Sequence, residues 1–121
     1  MSAAIVNFAN GILTIKLGGK LSHADLVKVQ KTGADLIQAQ GTIRILVLME
    51  GFQGWEREGD WGDLSFMYDY DPFMKRMAMV GDEQWRDLAL IFAGKGFRQC
   101  LVEYFRTEER AKAEAWLHEA S

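Results

Sequence analysis

The feature that most constrains the fold is a run of seven residues, Ile43-Arg-Ile-Leu-Val-Leu-Met49, in which only the second is polar. Successive side chains of a strand point to opposite faces of the sheet, so such a run has to be buried on both sides. Strands of this kind are typical of parallel sheets that helices cover. The run therefore predicts the central strand of an α/β protein.

Helical and strand patterns alternate along the rest of the chain. Residues 22–39 have apolar residues at helical spacing, Ser22 followed by Asp25 is typical of a helix N-terminus, and Gly41 is placed to end the helix. The next pattern predicts a short helix before Pro72 with Leu64, Met67 and Tyr68 on one face, followed by a strand over 76–80. A further helix is predicted to begin at Asp82 and to bury Trp85, Leu88, Ala89 and Phe92. A strand over 99–105 and a last helix follow, the helix capped by Thr107 and lined by Ala111, Ala115, Trp116 and His118.

The N-terminal stretch predicts a β-hairpin. Asn10-Gly11 lies between two β-rich runs, residues 3–8 and 12–17, and this dipeptide favours the type I′ turn, which needs positive φ at both central residues. The predicted order is thus β-β-α-β-α-β-α-β-α. It indicates a single α/β domain over residues 1–121, with a mixed, mostly parallel sheet of four to five strands opened by the hairpin, and about four helices.

The composition excludes several classes of protein. A chain of 121 residues is long enough for one core only. Its net charge of −3 leaves no basic excess to neutralise phosphates, so we expect no nucleic-acid partner. No apolar stretch approaches the ~20 residues of a membrane span, and no signal peptide is recognised. We expect a cytoplasmic protein without a transmembrane segment, with peripheral membrane contact as an open alternative.

No motif predicts catalysis or metal binding. The adjacent Ser22 and His23 do not form a triad, and the stretch 94–96 (Gly-Lys-Gly) lacks the spacing of a phosphate loop. The lone Cys100 is interpreted as a small buried hydrophobic residue. Asp69 and Asp71, which flank a tyrosine, are interpreted as surface carboxylates. We therefore expect a non-enzymatic protein with no catalytic residue, no metal and no cofactor.

The strongest functional signal is an aromatic and methionine-rich region. The stretch 51–62, GFQGWEREGDWG, is interpreted as a glycine-rich loop, and five of the six methionines lie between residues 49 and 79. Methionine is frequent on adaptable binding surfaces. A short helix behind such a loop can move and cover a crevice at the strand ends. This hypothesis makes 54–72 a mobile segment, with tentative ligand-binding residues Trp55, Trp61, Phe66, Met67, Tyr70 and Phe73.

Three interpretations of this region stay open. In the first, the short helix only covers the sheet, and the two tryptophans of the loop hold the loop down. In the second, the segment closes a pocket for an apolar molecule or contacts a membrane surface. In the third, it is an interface for another protein or for a second copy of the chain.

The element order, the hairpin and three stretches, GWEREGDWGDL, KRMAMVGDEQW and EERAKAEAWL, resemble the SpoIIAA-like family of small bacterial proteins. That family is related in fold to STAS domains, the anti-sigma-factor antagonists, and is compared with lipid-binding CRAL-TRIO (Sec14) domains. The resemblance covers nearly the whole chain. It implies a four- or five-stranded sheet with packed helices and a non-enzymatic role in regulation or ligand binding.

One departure from the antagonists bears on function. They carry a phosphorylatable serine directly after the buried strand, whereas this chain has no Ser or Thr between Thr42 and Ser65, and Ser65 is interpreted as lying inside the short helix. We therefore expect a module that binds an apolar or lipid-like ligand, or a membrane surface, through the segment 54–72. The alternative is a STAS-like regulator that acts through protein–protein contacts without the phosphoserine switch.

Overall fold

A computed structural model describes residues 2–119 and contains a five-stranded sheet whose spatial order follows the chain order, β1-β2-β3-β4-β5. The strands are β1 (Ala3–Ala9), β2 (Ile12–Leu21), β3 (Ile43–Trp55), β4 (Met74–Gly81) and β5 (Leu101–Arg106). The α-helices are α1 (His23–Gln40), α2 (Ser65–Tyr70), α3 (Arg86–Ala93) and α4 (Arg110–Leu117), and short 3₁₀ turns precede α3 and α4 and follow α2. The predicted fold class is confirmed.

The N-terminal hairpin has the predicted turn. Asn10 and Gly11 both have positive φ, 55° and 77°, as the type I′ turn requires. β1 consequently pairs antiparallel with β2, whereas β2, β3, β4 and β5 pair in parallel.

The two faces of the sheet are covered unequally. Three successive crossovers move in one direction across the sheet, and a common hand places α1, α2 and α3 on the same face. Along β3, Ile45 and Val47 pack toward this three-helix layer, whereas Leu46 and Leu48 pack toward α4 on the opposite face. The central strand is therefore buried on both sides, as the apolar run predicts.

Two arginines of the sheet hold the C-terminal end of α4. Arg44 donates hydrogen bonds to the carbonyl oxygens of Leu117 and Glu119, and Arg76 donates to that of Trp116 at 3.1 Å. Cations are favourable at the negative end of a helix dipole. This docking buries Ala113 and Leu117, so the prediction that Ala111, Ala115 and His118 line the helix is wrong: these three are exposed, and Trp116 is half-buried.

The start of α1 is capped through an additional serine. Ser22 Oγ accepts from the Asp25 N–H at 3.1 Å, as predicted. Asp25 does not return a bond to the Ser22 backbone; Ser2 Oγ accepts from the Ser22 N–H and donates to the Asp25 carboxylate, both within 2.9 Å. The capping box is thus completed through Ser2, which also fastens the N-terminal end of β1 to α1.

Several local predictions are wrong in ways that position the site. Residues 51–55 belong to β3 rather than to a loop, because Gly51 and Gly54 adopt positive φ and let the strand bulge while it keeps pairing with β2. Ser65 is the first residue of α2, not an interior one. Tyr68 and Leu64 are exposed, and Phe66, Met67 and Tyr70 are the half-buried side chains of this region.

Of the caps predicted before α3 and α4, the structure contains the first and not the second. Asp82 caps the turn before α3 by accepting from the Gln84 N–H at 2.9 Å, as predicted. Leu88 and Phe92, assigned to the buried stripe of α3, are instead 52% and 38% exposed. Before α4 the Arg106 N–H donates to the Glu109 carboxylate, and this bond, rather than the Thr107 side chain, begins the helical segment.

Candidate functional site

A cavity of about 360 Å³ lies between the sheet and the layer of α1, α2 and α3. Its floor consists of side chains that β2, β3 and β4 direct to one face. All are apolar: Leu13, Ile15, Leu17, Ile43, Ile45, Val47, Met74, Met77 and Met79. The alternation of side chains along three adjacent strands thus produces a continuous hydrophobic surface.

The roof comes from three helices and from the connection between β3 and α2. The helical residues are Leu26, Val29, Gln30 and Gly33 from α1, Phe66 and Met67 from α2, and Phe92 and Ala93 from α3. The connection, residues 56–64, contributes Glu56, Trp61, Asp63 and Leu64, and we call it the lid. His23 and Arg98 complete the wall.

Four of the six predicted ligand-binding residues line this cavity: Trp55, Trp61, Phe66 and Met67. Tyr70 and Phe73 are not part of the wall. The Tyr70 ring packs against Phe66 with centroids 5.0 Å apart, and Phe73 is exposed. Ligand binding by these six residues and movement of the segment 54–72 both stay predictions.

The cavity lies against the sheet face rather than beyond the strand ends, where the crevice was expected. A second depression, of about 500 Å³, does lie at the carboxyl end of β4, beside residues 48–52 of β3. Its wall mixes apolar side chains with Glu50, Asp82 and Arg110, and it contains none of the six predicted residues.

The lid is folded onto itself and onto α1. The Trp61 indole N–H donates to the Glu56 carbonyl oxygen at 2.9 Å, which closes the lid into a compact loop. The Trp61 ring meets the His23 ring edge-on at 5.1 Å and the Phe92 ring at 6.0 Å. Of the two tryptophans in the stretch 51–62, only Trp61 belongs to the lid, because Trp55 lies at the end of β3.

Gly59 brings the lid backbone close to α1. Its φ is +115°, and a Cβ at this position would lie 2.3 Å from the His23 Cβ. A side chain there would meet both backbone strain and direct overlap.

Replacing Gly59 with alanine should therefore release the lid from α1. Backbone strain of about 1–3 kcal/mol corresponds to an increase of roughly 5- to 150-fold in the open population. Trypsin should then cleave after the exposed Arg57 at least about fivefold faster, with little change in global stability. Gly62→Ala is the control within the same lid, because its Cβ would meet only the Asp60 carboxylate, at 3.8 Å. Equal cleavage of the two variants would contradict this role of Gly59.

Trp55 lines the cavity, and its indole N–H is buried without a partner among the described residues. Its ring packs against Phe52, Trp85 and Phe92 with centroid distances of 5.0 to 6.1 Å. The indole Nε1 is buried and has no hydrogen-bond acceptor within residues 2–119. Buried donors without partners are uncommon in native structures.

A buried ion pair, which the sequence analysis missed, supports one end of the cavity. Arg98, part of the wall, donates from Nε to Asp71 at 2.8 Å, and the two side chains are 7% and 11% exposed. The Gln99 and Cys100 N–H groups also donate to Asp71. The prediction that Asp71 is a surface carboxylate is wrong, since the side chain is buried. The pair could not be predicted because Arg98 lies 27 residues further along the chain and no local pattern links the two.

Burial alone would raise the pKa of the Asp71 carboxyl, but the hydrogen bonds from Arg98 and Gln99 and the arginine charge outweigh it and lower the pKa. Asp71 is accordingly an anion that neutralises Arg98. Burial raises the pKa of the Cys100 thiol to about 11, so the thiol stays protonated at neutral pH. Tyr104 is likewise held protonated, since burial raises its pKa to about 12.

Two further findings concern metal binding and membrane-spanning helices. Among residues 2–119, no three His, Cys, Asp or Glu side chains are grouped so that they could hold a metal ion. Within the same range, no helix combines the length and the apolar character needed to cross a bilayer.

The fold and the cavity define a small α/β protein with a five-stranded mixed sheet and a hydrophobic chamber under three helices. A family model described as SpoIIAA-like matches residues 12–118. The chain belongs to the SpoIIAA-like family, which confirms the resemblance drawn from its sequence.

A solved structure supports the same fold. The crystal structure of an uncharacterised protein from the DUF3478 family, with a SpoIIAA-like fold, from Shewanella loihica PV-4, has a TM-score of 0.71 to this chain. The two sequences are 24% identical, and the match covers 96% of this chain and 93% of that one. At this identity the likeness concerns the fold alone. No curated protein matches the sequence.

Proposed function

We propose that this protein is a non-catalytic module that binds an apolar or lipid-like molecule in the cavity between the sheet and α1–α3. The observation that carries the proposal is the cavity itself, about 360 Å³ with a floor made only of apolar side chains. Ligand pockets of proteins measure about 300–1,000 Å³ and are lined mainly by hydrophobic and aromatic groups with a few polar ones.

The size of the cavity favours an occupant. Protein interiors are close-packed, with few voids larger than a water molecule. A volume of about 360 Å³ corresponds to roughly twelve water-sized volumes. Water molecules over the floor would find no hydrogen-bond partners there, because every floor residue is apolar. An apolar ligand of about ten to twelve non-hydrogen atoms would restore packing at this site.

The polar groups of the wall favour an amphiphilic shape. They come from α1, from the lid and from the turn that carries Arg98, whereas the floor has none. A ligand with an apolar body over the sheet and a polar end at the lid matches this division. Methionines 67, 74, 77 and 79 in the wall would adapt to different chain shapes.

Native mass spectrometry of gently purified protein tests the proposal directly. An extra mass that is retained in the gas phase and lost on denaturation is the expected result. Titration with medium-chain amphiphiles should also shift the fluorescence of Trp55 and Trp61, which line the cavity. A protein that is free of added mass and shows no fluorescence response to any amphiphile would refute the proposal.

A second candidate function is partner binding, and the surface of α3 favours it. Leu88 is 52% exposed, Ile91 is 75% exposed, and Phe97 in the following turn is 90% exposed. Leu88 and Ile91 are spaced to share one helix face, and large exposed apolar side chains in one region are a mark of protein interfaces.

If this surface binds a protein partner or a second copy, Ile91→Glu and Phe97→Glu should each weaken the complex at least tenfold. The measurement is sedimentation or size-exclusion of the purified chain, followed by affinity capture. Val27→Glu provides the control, because Val27 is also an exposed apolar residue, but on α1. Loss of the complex in all three variants, or in none, would argue against this surface.

A further inference from the structure

We propose that the cavity selects an amphiphile with a cationic polar end, such as a primary amine, over the carboxylate of the same chain. This inference rests on the proposed ligand-binding function and specifies the chemistry of its ligand. It follows from the position and the charge of the groups at the mouth of the cavity.

The mouth is identified by residues that both line the cavity and reach solvent. Leu64 is 46% exposed and Phe92 38% exposed, and Glu56 and Asp63 are also exposed lining residues. We infer from these four exposed lining residues that the opening lies between the lid and α3, and two of the four are acidic.

Neither mouth carboxylate is neutralised by a cation among the described residues. Glu56 and Asp63 form no ion pair within residues 2–119, and Asp63 accepts instead from the Ser65 hydroxyl at 2.7 Å and the Ser65 N–H at 3.0 Å. These hydrogen bonds lower the pKa of Asp63 and keep it ionised. The lid as a whole has four carboxylates and one arginine. A carboxylate ligand would bring a further negative charge to this opening.

The cation of the wall does not compensate. Arg98 is the only Lys or Arg among the lining residues, and its guanidinium is already paired with buried Asp71 at 2.8 Å. A fatty-acid carboxylate would therefore meet a guanidinium whose charge Asp71 already balances.

Aromatic rings add to the preference for a cation. Trp61 and Phe92 line the cavity, and Trp61 lies in the same lid as both mouth carboxylates. The faces of aromatic rings attract ammonium groups, and tryptophan does so most strongly. Two carboxylates that have no cationic partner within residues 2–119 and two aromatic side chains in one wall offer the chemistry of ammonium recognition, and the apolar floor would hold the chain attached to the ammonium group.

The test compares three probes with the same ten-carbon chain, decylamine, decan-1-ol and decanoate, at about pH 8, where the amine and the acid are both charged. Binding is followed by tryptophan fluorescence below the critical micelle concentration. We expect decylamine to bind about tenfold more tightly than decanoate at low salt, with decanol between them, and the difference to shrink as salt is added.

Two double variants locate the effect. Glu56→Gln with Asp63→Asn should abolish the amine preference, and asparagine can still accept from Ser65 at the start of α2. Glu58→Gln with Asp60→Asn makes the same charge change in the same lid at residues that do not line the cavity, and should retain most of the preference.

The outcomes separate this inference from the proposed function. Decanoate binding as tightly as decylamine, or equal effects of the two double variants, would overturn the inference and leave the binding function standing. Failure of all three probes to bind would overturn both.

Discussion

Replacing Gly33 with leucine should abolish ligand binding while making the free protein more stable. Gly33 lies in the middle of α1, is buried and lines the cavity. A glycine inside a helix costs about 1 kcal/mol relative to alanine, and no positive φ requires one here. A Cβ at this position would meet Phe66 at 3.7 Å and Leu13 at 3.9 Å, which are ordinary contacts. The glycine therefore keeps space open rather than relieving a clash.

The sign of the stability change tests the cavity itself. Gly33→Ala should raise the free energy of unfolding by about 1 kcal/mol, and leucine should add buried apolar surface to that. If the chamber were collapsed in solution, leucine would overpack the core and destabilise by about 1–3 kcal/mol. Urea unfolding measures the change, and decylamine titration measures the binding.

Asp35→Ala is the matched control for Gly33. Asp35 is on the exposed side of α1, and alanine there also improves helix propensity without touching the cavity. It should raise stability by a few tenths of a kcal/mol and leave ligand affinity unchanged. Weakened binding in this variant would show that stiffening α1, rather than filling the cavity, controls affinity.

Features with short-range determinants could be predicted from the sequence. The turn at Asn10-Gly11, the caps at Ser22 and Asp82, and the left-handed Gly94 that ends α3 each depend on a few neighbouring residues. Burial of the run 43–49 on both faces could likewise be predicted from the residues of this one strand, because its side chains alternate between the two faces.

The buried faces of the short helices could not be predicted in the same way. α3 and α4 have eight residues each, about two turns, and alanines and larger apolar residues occur around much of their circumference. The choice between Ala113 and its neighbours depends on where α4 is docked. That position is set by Arg44 and Arg76, which are distant in the sequence.

The cavity illustrates the same limit. Trp55, Trp61, Phe66 and Met67 could be predicted as candidates because their region is rich in aromatic residues and methionine, and all four line the chamber. An empty volume, however, is the difference between the space enclosed by several elements and the side chains that fill it. Gly33 and the floor of β2 contribute to that difference without any local signal.

The largest loss of stability is expected from Asp71→Ala. This change would leave Arg98, whose side chain is 7% exposed, without its counter-ion and the Gln99 and Cys100 N–H groups without their acceptor. Breaking one side of a buried pair typically destabilises by 3–5 kcal/mol, and we expect about that loss in urea unfolding. Asp69→Ala is the control, because Asp69 is exposed two residues away and should change stability by less than about 0.5 kcal/mol.

Acid should reproduce part of the same loss. The pKa of Asp71 is lower in the folded protein than in the unfolded chain, so its contribution is complete above the ordinary carboxyl range and is lost as the pH falls through the folded value. Stability should therefore decline below about pH 4, and less steeply in Asp71→Asn.

A double change of Asp71→Leu and Arg98→Met removes both charges and should recover most of the stability lost in Asp71→Ala. A double variant as unstable as Asp71→Ala would show that the backbone hydrogen bonds to Asp71, rather than the charge of Arg98, account for the loss.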